Sequence, residues 1–468
     1  MMAAGRTRHA MRRFNYLETA VMLGTVVQWV VLATITGAVV GAGTSLFLHG
    51  LLFFTAGTAS VPLWAQMTLL PLGGLANGLL LYYGRRANRT NLKDSAIAAV
   101  HYQNGRMPFR TLLVKPVAAI ITLSCGGSAG KEGPCSHIGG TLASGLGRVF
   151  GLNAELQKRL VACGVSAGFA SVFGTPIAGA IYGVEVLAIG RIRHDFMFPA
   201  IIAGVTSFEI SKALGIPYDY YTIQTLPDFS EIVFLKTIVI GIMCGIVAWI
   251  FIDLVKLMRD VFDGIRNRYQ VWPPLMPLLG GVVLSVLILF IPTHYLGLSL
   301  PLMDDALHGQ SMPYLGFLWK ALLVAVTLGS GFYGGIVTPQ FVMGAMVGSS
   351  LAPLLGIEPS LGAAVGLVAV VAAASNTPVA AMLMGVELFG GVVGTVYVAG
   401  ASIAAYLVVG HRSVYPDQVL AHPKSSWMQV APDLPLGQEK IKLSYGLLKW
   451  ISKYQPRRAL ASFWRRKP

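Results

Sequence analysis

Charge is what this sequence has least of. Only 12% of its 468 residues are Asp, Glu, Lys or Arg, while 54% are hydrophobic. From Thr19 to Gly84 none of the four occurs, and between Lys320 and Arg412 the only charges are Glu358 and Glu387. With a mean hydropathy of +0.65, this excludes an ordinary water-soluble domain, where roughly a quarter of residues are charged. About 20 apolar residues span a bilayer as a helix, and many segments qualify, so the chain reads as a polytopic membrane protein. Cysteine is scarce as well. Cys125, Cys135, Cys163 and Cys244 sit in or beside apolar runs without metal-ligand spacing, which fits buried small residues and no bound metal. The apolar run beginning near Ala20 is too long for the 7–15-residue core of a cleavable signal.

The charge that is present gathers at the ends. Arg6, Arg8, Arg12 and Arg13 precede the first apolar run, and Arg457, Arg458, Arg465, Arg466 and Lys467 close the chain, within a net charge of +15. The positive-inside tendency then puts both termini in the cytoplasm, in a multi-pass protein of the cell (inner) membrane. Short basic tails beside membrane segments argue against nucleic-acid binding.

Internal repetition organises the rest. Thr175-Pro176-Ile177-Ala178-Gly179-Ala180-Ile181-Tyr182-Gly183-Val184-Glu185 reads against Thr377-Pro378-Val379-Ala380-Ala381-Met382-Leu383-Met384-Gly385-Val386-Glu387 at an offset of 202. Two glycine-rich breaks, Gly126 to Pro134 and Gly329 to Pro339, align at an offset of 205 through Gly126/Gly331, Gly130/Gly335 and Pro134/Pro339. The expected organisation is a basic lead (1–18), a membrane half (19–214), a connection (215–230), a second half (231–425) and a basic tail (426–468). Broken helices at matching positions of two halves point to a central binding site. Glycine breaks leave backbone N–H groups free, and helix N-termini add positive potential, so two breaks facing each other make a weak anion site. Glu132 puts a lone carboxylate into that site, where it can compete with an anion as a gate.

At these residues the chain resembles the CLC chloride channels and proton-coupled chloride exchangers. Gly130-Lys131-Glu132-Gly133-Pro134 is similar to the family's GREGP or GKEGP motif, and Gly335-Ile336-Val337-Thr338-Pro339 to its GxFxP motif, with Val337 where an aromatic is usual. Ser413-Val414-Tyr415-Pro416 resembles the segment whose tyrosine closes the inner end of the pore. The resemblance implies an all-α fold of two inverted-topology repeats of tilted and half-crossing helices, a homodimer with one pore per subunit, and no enzymatic activity or cofactor. Chloride or a similar small anion, with protons as a possible second species, would be the partners within the bilayer. Glu132 would be the gate. Lys131, Gly133, Ile336, Val337 and Tyr415 would line the anion positions, with Asn91 standing in for the serine of a first anion motif that is otherwise unrecognisable. Exchangers of the family usually carry two consecutive glutamates after the central Pro; here the pair is Glu185-Val186. That substitution implies passive chloride flux through a gated channel, the alternative being a proton-coupled chloride or fluoride exchanger.

Other residues have plainer expectations. Glu185 and Glu387 recur in step and read as structural carboxylates bonded to neighbouring backbone N–H groups. His137 reads as a hydrogen-bonded structural histidine. An intramembrane hydrolase using Ser128 or Ser136 with His137 and a cation-coupled solute transporter are the competing functions.

Overall fold

The computed structural model describes residues 2–58, 61–86, 93–218, 220–221, 229–389, 392–431, 434–436 and 442–443. Among them are sixteen α-helices. The first eight are α1 (Met2–Ala56), α2 (Leu63–Arg86), α3 (Ala96–Tyr102), α4 (Thr111–Ser124), α5 (Glu132–Val149), α6 (Ala154–Phe173), α7 (Pro176–Glu185) and α8 (His194–Ala213). The second eight follow the same plan: α9 (Glu231–Tyr269), α10 (Leu275–Leu287), α11 (Leu300–Leu307), α12 (Gly316–Gly329), α13 (Val337–Leu351), α14 (Pro359–Ala374), α15 (Pro378–Phe389) and α16 (Val392–Val408). Helices α4 and α12 begin and end at the same offset as the glycine breaks that follow them.

Among the described residues three stretches, Leu17–Ala56, His194–Ala213 and Glu231–Tyr269, are long and apolar enough to cross a membrane. Helices α4 and α12 are apolar but have only 14 residues each. At 1.5 Å per residue that is roughly 21 Å, short of the ~30 Å hydrocarbon layer, so they penetrate without crossing alone. Small residues let such segments pack closely. A Cβ at Gly139 would lie 2.0 Å from the Gly164 carbonyl oxygen, and one at Gly344 would lie 2.3 Å from that of Gly366. The two contacts are repeat-equivalent, and each lets α5 meet α6, or α13 meet α14, backbone to backbone.

The halves are held together by reciprocal contacts, the signature of a two-fold relation. The Glu185 carboxylate accepts from the N–H groups of Val379 (3.1 Å) and Ala380 (2.8 Å), at the start of α15. Glu387 accepts from those of Ile177 (2.9 Å) and Ala178 (2.8 Å), at the start of α7. Each glutamate thus caps the other half's helix and satisfies donors that would otherwise be orphaned in hydrocarbon. Both carboxylates thus bond to backbone N–H groups as expected, and the partners belong to the opposite half.

The segment after α16 folds back onto the first half. Strand β1 (Ala188–Ile189), just beyond α7, pairs in parallel with β2 (Val419–Leu420), and Leu434–Pro435 adds an antiparallel third strand. This pairing pins Tyr415 next to α7. At the other end, the basic lead is not set apart from the first span, because α1 runs unbroken from Met2 to Ala56. Most of the expected tail (426–468) and part of the 215–230 connection lie outside the described residues.

Candidate functional site

Both glycine breaks turn in the same way. Gly126 (φ +92°) and Gly331 (φ +104°) hold equivalent left-handed positions that residues with a Cβ disfavour. Gly127 N–H then donates to the Thr122 carbonyl (2.8 Å), as Phe332 N–H does to the Thr327 carbonyl (3.2 Å), 205 residues on. The breaks meet at Gly130 and Gly335, which exchange two backbone hydrogen bonds of 2.8 Å each. This short antiparallel bridge sets the N-termini of α5 and α13 face to face.

Glu132 is the first residue of α5 and is buried, with 1% exposure. Its carboxylate crosses to the other half. The N–H of Val337 donates to Oε1, while the Thr338 N–H (3.2 Å) and the Thr338 hydroxyl (2.7 Å) donate to Oε2. The carboxylate therefore rests on the N-terminus of α13 and one hydroxyl. The bridging glycines make room. A Cβ at Gly335 would lie 2.1 Å from Oε1, and one at Gly130 would lie 2.3 Å from Oε2.

The other expected site residues are placed as follows. Lys131 is the half-buried N-cap of α5, and Gly133 packs on Gly335, whose Cα lies 2.9 Å from where a Gly133 Cβ would stand. Ile336 is the N-cap of α13; Val337 and Thr338, the next two residues, give their N–H groups to Glu132. N–H groups of a first helical turn point along the axis toward its end, which is where the carboxylate sits. Asn91 lies outside the described residues.

Tyr415 and Glu132 line one cavity of about 150 Å³, together with Asp94, Lys115, Tyr182 and Val186. The Tyr415 and Tyr182 hydroxyls are 2.8 Å apart, and the Tyr182 ring stacks on Phe169 at 3.8 Å between centroids. His137 Nε2 lies 2.9 Å from the Thr111 hydroxyl. Ser128 donates to the Tyr295 carbonyl (3.2 Å) and accepts from Lys320 (2.9 Å), so it is not directed at His137 as a hydrolase would need.

Sequence reasoning passed over Thr338 and Tyr182. The signal for both was a departure from the repeat. Thr338 stands opposite Gly133, and Tyr182 opposite Met384. Lys320, completely buried, was passed over too.

Duplicated short helices, two facing helix N-termini and a carboxylate seated on one of them define a membrane transporter of anions. The profile of the family described as "Voltage gated chloride channel" matches residues 72–410. A "Chloride/fluoride channel protein" of Pseudomonas syringae pv. tomato is 33% identical, over 88% of this chain and 91% of its own. A solved structure described as a CLC-type fluoride/proton antiporter has 31% identity and a TM-score of 0.77, covering 84% of this chain and 98% of its own. A slow cyanobacterial Cl−/H+ antiporter shares the fold at a TM-score of 0.69 with 22% identity. The chain belongs to the CLC family of voltage gated chloride channels and their transporter relatives.

Proposed function

We propose that this protein exchanges a small anion, fluoride before chloride, for protons, with Glu132 as both the gate and the proton carrier. The observation that carries the reading is the Glu132 carboxylate held by Val337 and Thr338. An anion seated at the start of α13 would use the same donors, so it and the charged carboxylate exclude each other. A carboxylate displaced from those donors inside a membrane is strongly favoured to take up a proton, because an unpaired buried charge is costly. Anion binding and proton uptake are thereby linked at one side chain. The Thr338 hydroxyl suits a small, strongly hydrated anion, whose lost water must be replaced by compact donors. Fluoride also appears in the descriptions of two relatives above 30% identity.

A passive channel is the second reading. Val186 favours it, because an apolar side chain lines the cavity where exchangers of the family carry a second glutamate. Proteoliposomes bearing a fluoride gradient separate the two. Uphill proton movement driven by fluoride is expected. Fluoride flux without it would leave the channel reading standing, and a series with chloride, bromide and nitrate tests the anion preference. We place Tyr415 and both termini on the cytoplasmic side and expect a homodimer with one pore per chain.

A further inference from the structure

Lys115 on α4 and Lys320 on α12 occupy equivalent positions in the two halves, at the same offset of 205 as the breaks. Their surroundings differ in an informative way. Lys320 is sealed, donating to the Gly297 carbonyl (2.7 Å), the hydroxyls of Ser299 (2.8 Å) and Ser128 (2.9 Å) and the Tyr295 carbonyl (3.2 Å). Lys115 instead donates to the backbone carbonyl of Asp94 at 2.7 Å, and the Asp94 carboxylate lies farther off, at 3.9 Å. Asp94 is the repeat equivalent of Ser299. A hydroxyl holds the lysine in one half and a backbone carbonyl in the other, so the two positions differ by a carboxylate in the half that carries Glu132.

That carboxylate also stands where it is least welcome to an anion. Asp94 lines the same cavity as Glu132, and its side chain is 16% exposed. The next residue back, Lys93, pairs with Asp417 (3.1 Å), two residues beyond Tyr415, so Asp94 sits at the Tyr415 end. A negative charge there repels the travelling anion. A group that exchanges protons with water has reason to be there.

We propose that Asp94 is the proton-relay residue of the Tyr415-side mouth, passing protons between the aqueous phase and the Glu132 carboxylate. The proposal rests on the exchange reading above and supplies the acid that position 186 lacks. The step is a proton transfer and no more. The Asp94 carboxylate takes a proton from bulk water, hands it to water in the cavity, and that water protonates a Glu132 oxygen, leaving Asp94 charged again. At ~30 Å³ each, about five waters fill the cavity volume of about 150 Å³. The titratable groups facing the route are Lys115 from α4, Glu132 and His137 from α5, Tyr182 from α7, Tyr333 from the second break and Tyr415. Lys115 Nζ lies 3.9 Å from the Asp94 carboxylate, and His137 is engaged with Thr111.

The test measures protons moved per fluoride by full-length protein in liposomes, with a fluoride electrode outside and a pH dye inside. Asp94→Asn should lower that ratio by about tenfold or more, and Asp94→Glu should restore it. Asp94→Ser copies the hydroxyl that already serves the other half, so it provides a second folded variant. A wild-type ratio in either neutral variant overturns the proposal while leaving proton exchange intact. Wild-type protein that carries fluoride and no protons overturns the exchange reading and this proposal together.

Discussion

If the Glu132 carboxylate and the travelling anion share one position, a methyl group placed there must exclude both. Gly335→Ala does this. The new Cβ would lie 2.1 Å from Oε1 and 2.4 Å from the carboxylate carbon, and Gly335 has no left-handed φ to oppose alanine. The atoms in the way end a flexible side chain, so the carboxylate yields and the backbone stays. What it forfeits is the hydroxyl bond of 2.7 Å, the Val337 N–H bond and the weaker one of 3.2 Å. Two good hydrogen bonds to a charged group are worth about 3–6 kcal/mol, or roughly 10²–10⁴ in occupancy. Glu132→Ala should leave a site that conducts without pH dependence, because the competitor is gone and the donors remain. Gly335→Ala should instead lose flux, because the methyl fills the anion's own place. The decisive variant combines the two. Glu132→Ala/Gly335→Ala should stay as closed as Gly335→Ala alone in a liposome fluoride-efflux assay. A double variant that conducts like Glu132→Ala would show that the anion does not use the carboxylate's position, and the competition on which the gate depends would be refuted.

Thr338→Val removes one charge-assisted bond to Glu132 and keeps both N–H donors, a loss of about 1.5–3 kcal/mol; the flux assay should show a larger conducting fraction at a given pH, and an unchanged pH profile would deny the hydroxyl its role. Glu185→Ala strips two N–H groups at the start of α15 of their acceptor, at about 1–3 kcal/mol each, so thermal stability in detergent should fall clearly and Glu185→Gln should fall less. Lys424, after α16, donates to the Asn376 side chain (2.6 Å) and the Tyr406 carbonyl (2.7 Å), and burial pushes its pKa down to about 6. Its folded pKa is below the unfolded value of about 10.4, so the folded state binds fewer protons between them. Stability should decline as pH falls through that window and level off once below about 6. Lys424→Met should flatten the thermal-stability profile across it.

Much of the architecture was legible because the sequence is written twice. A constant offset sets Gly130 against Gly335 and Glu185 against Glu387 in the sequence itself, and both pairs are joints between the halves. What the offset could not reveal was which half each bond reaches. Spacing along a chain is blind to a two-fold axis, so it gives the backbone partners of Glu185 and Glu387 without saying that they lie in the opposite half. Thr338 was missed for a related reason. A donor hydroxyl beside a motif proline looks like an ordinary helix start until the other half's carboxylate is seen against it. Lys320 stands in the sequence only as the edge of a charge-free stretch, although four oxygens from two separate segments converge on it.

A duplicated chain would by itself build two equal half-sites, and two equal half-sites give no reason for an ion to prefer one exit. The features that match across the halves, the left-handed glycines, the bridging glycines and the capping glutamates, all bear on holding the helices in place. The features that do not match gather around the carboxylate. Glu132 stands opposite Val337, Gly133 opposite Thr338, Tyr182 opposite Met384 and Asp94 opposite Ser299. In each pair one member lines the cavity or bonds to Glu132. Symmetry therefore fixes the position of the site, and its breaking distinguishes the two sides: Asp94, Tyr182 and Tyr415 line the cavity with Glu132, while the counterpart of Lys115, Lys320, is enclosed by neutral oxygens. It follows that matched substitutions should separate cleanly. Changing Glu185 or Glu387 should be read in stability, and changing Asp94 or Thr338 in transport, with little crossing between the two assays.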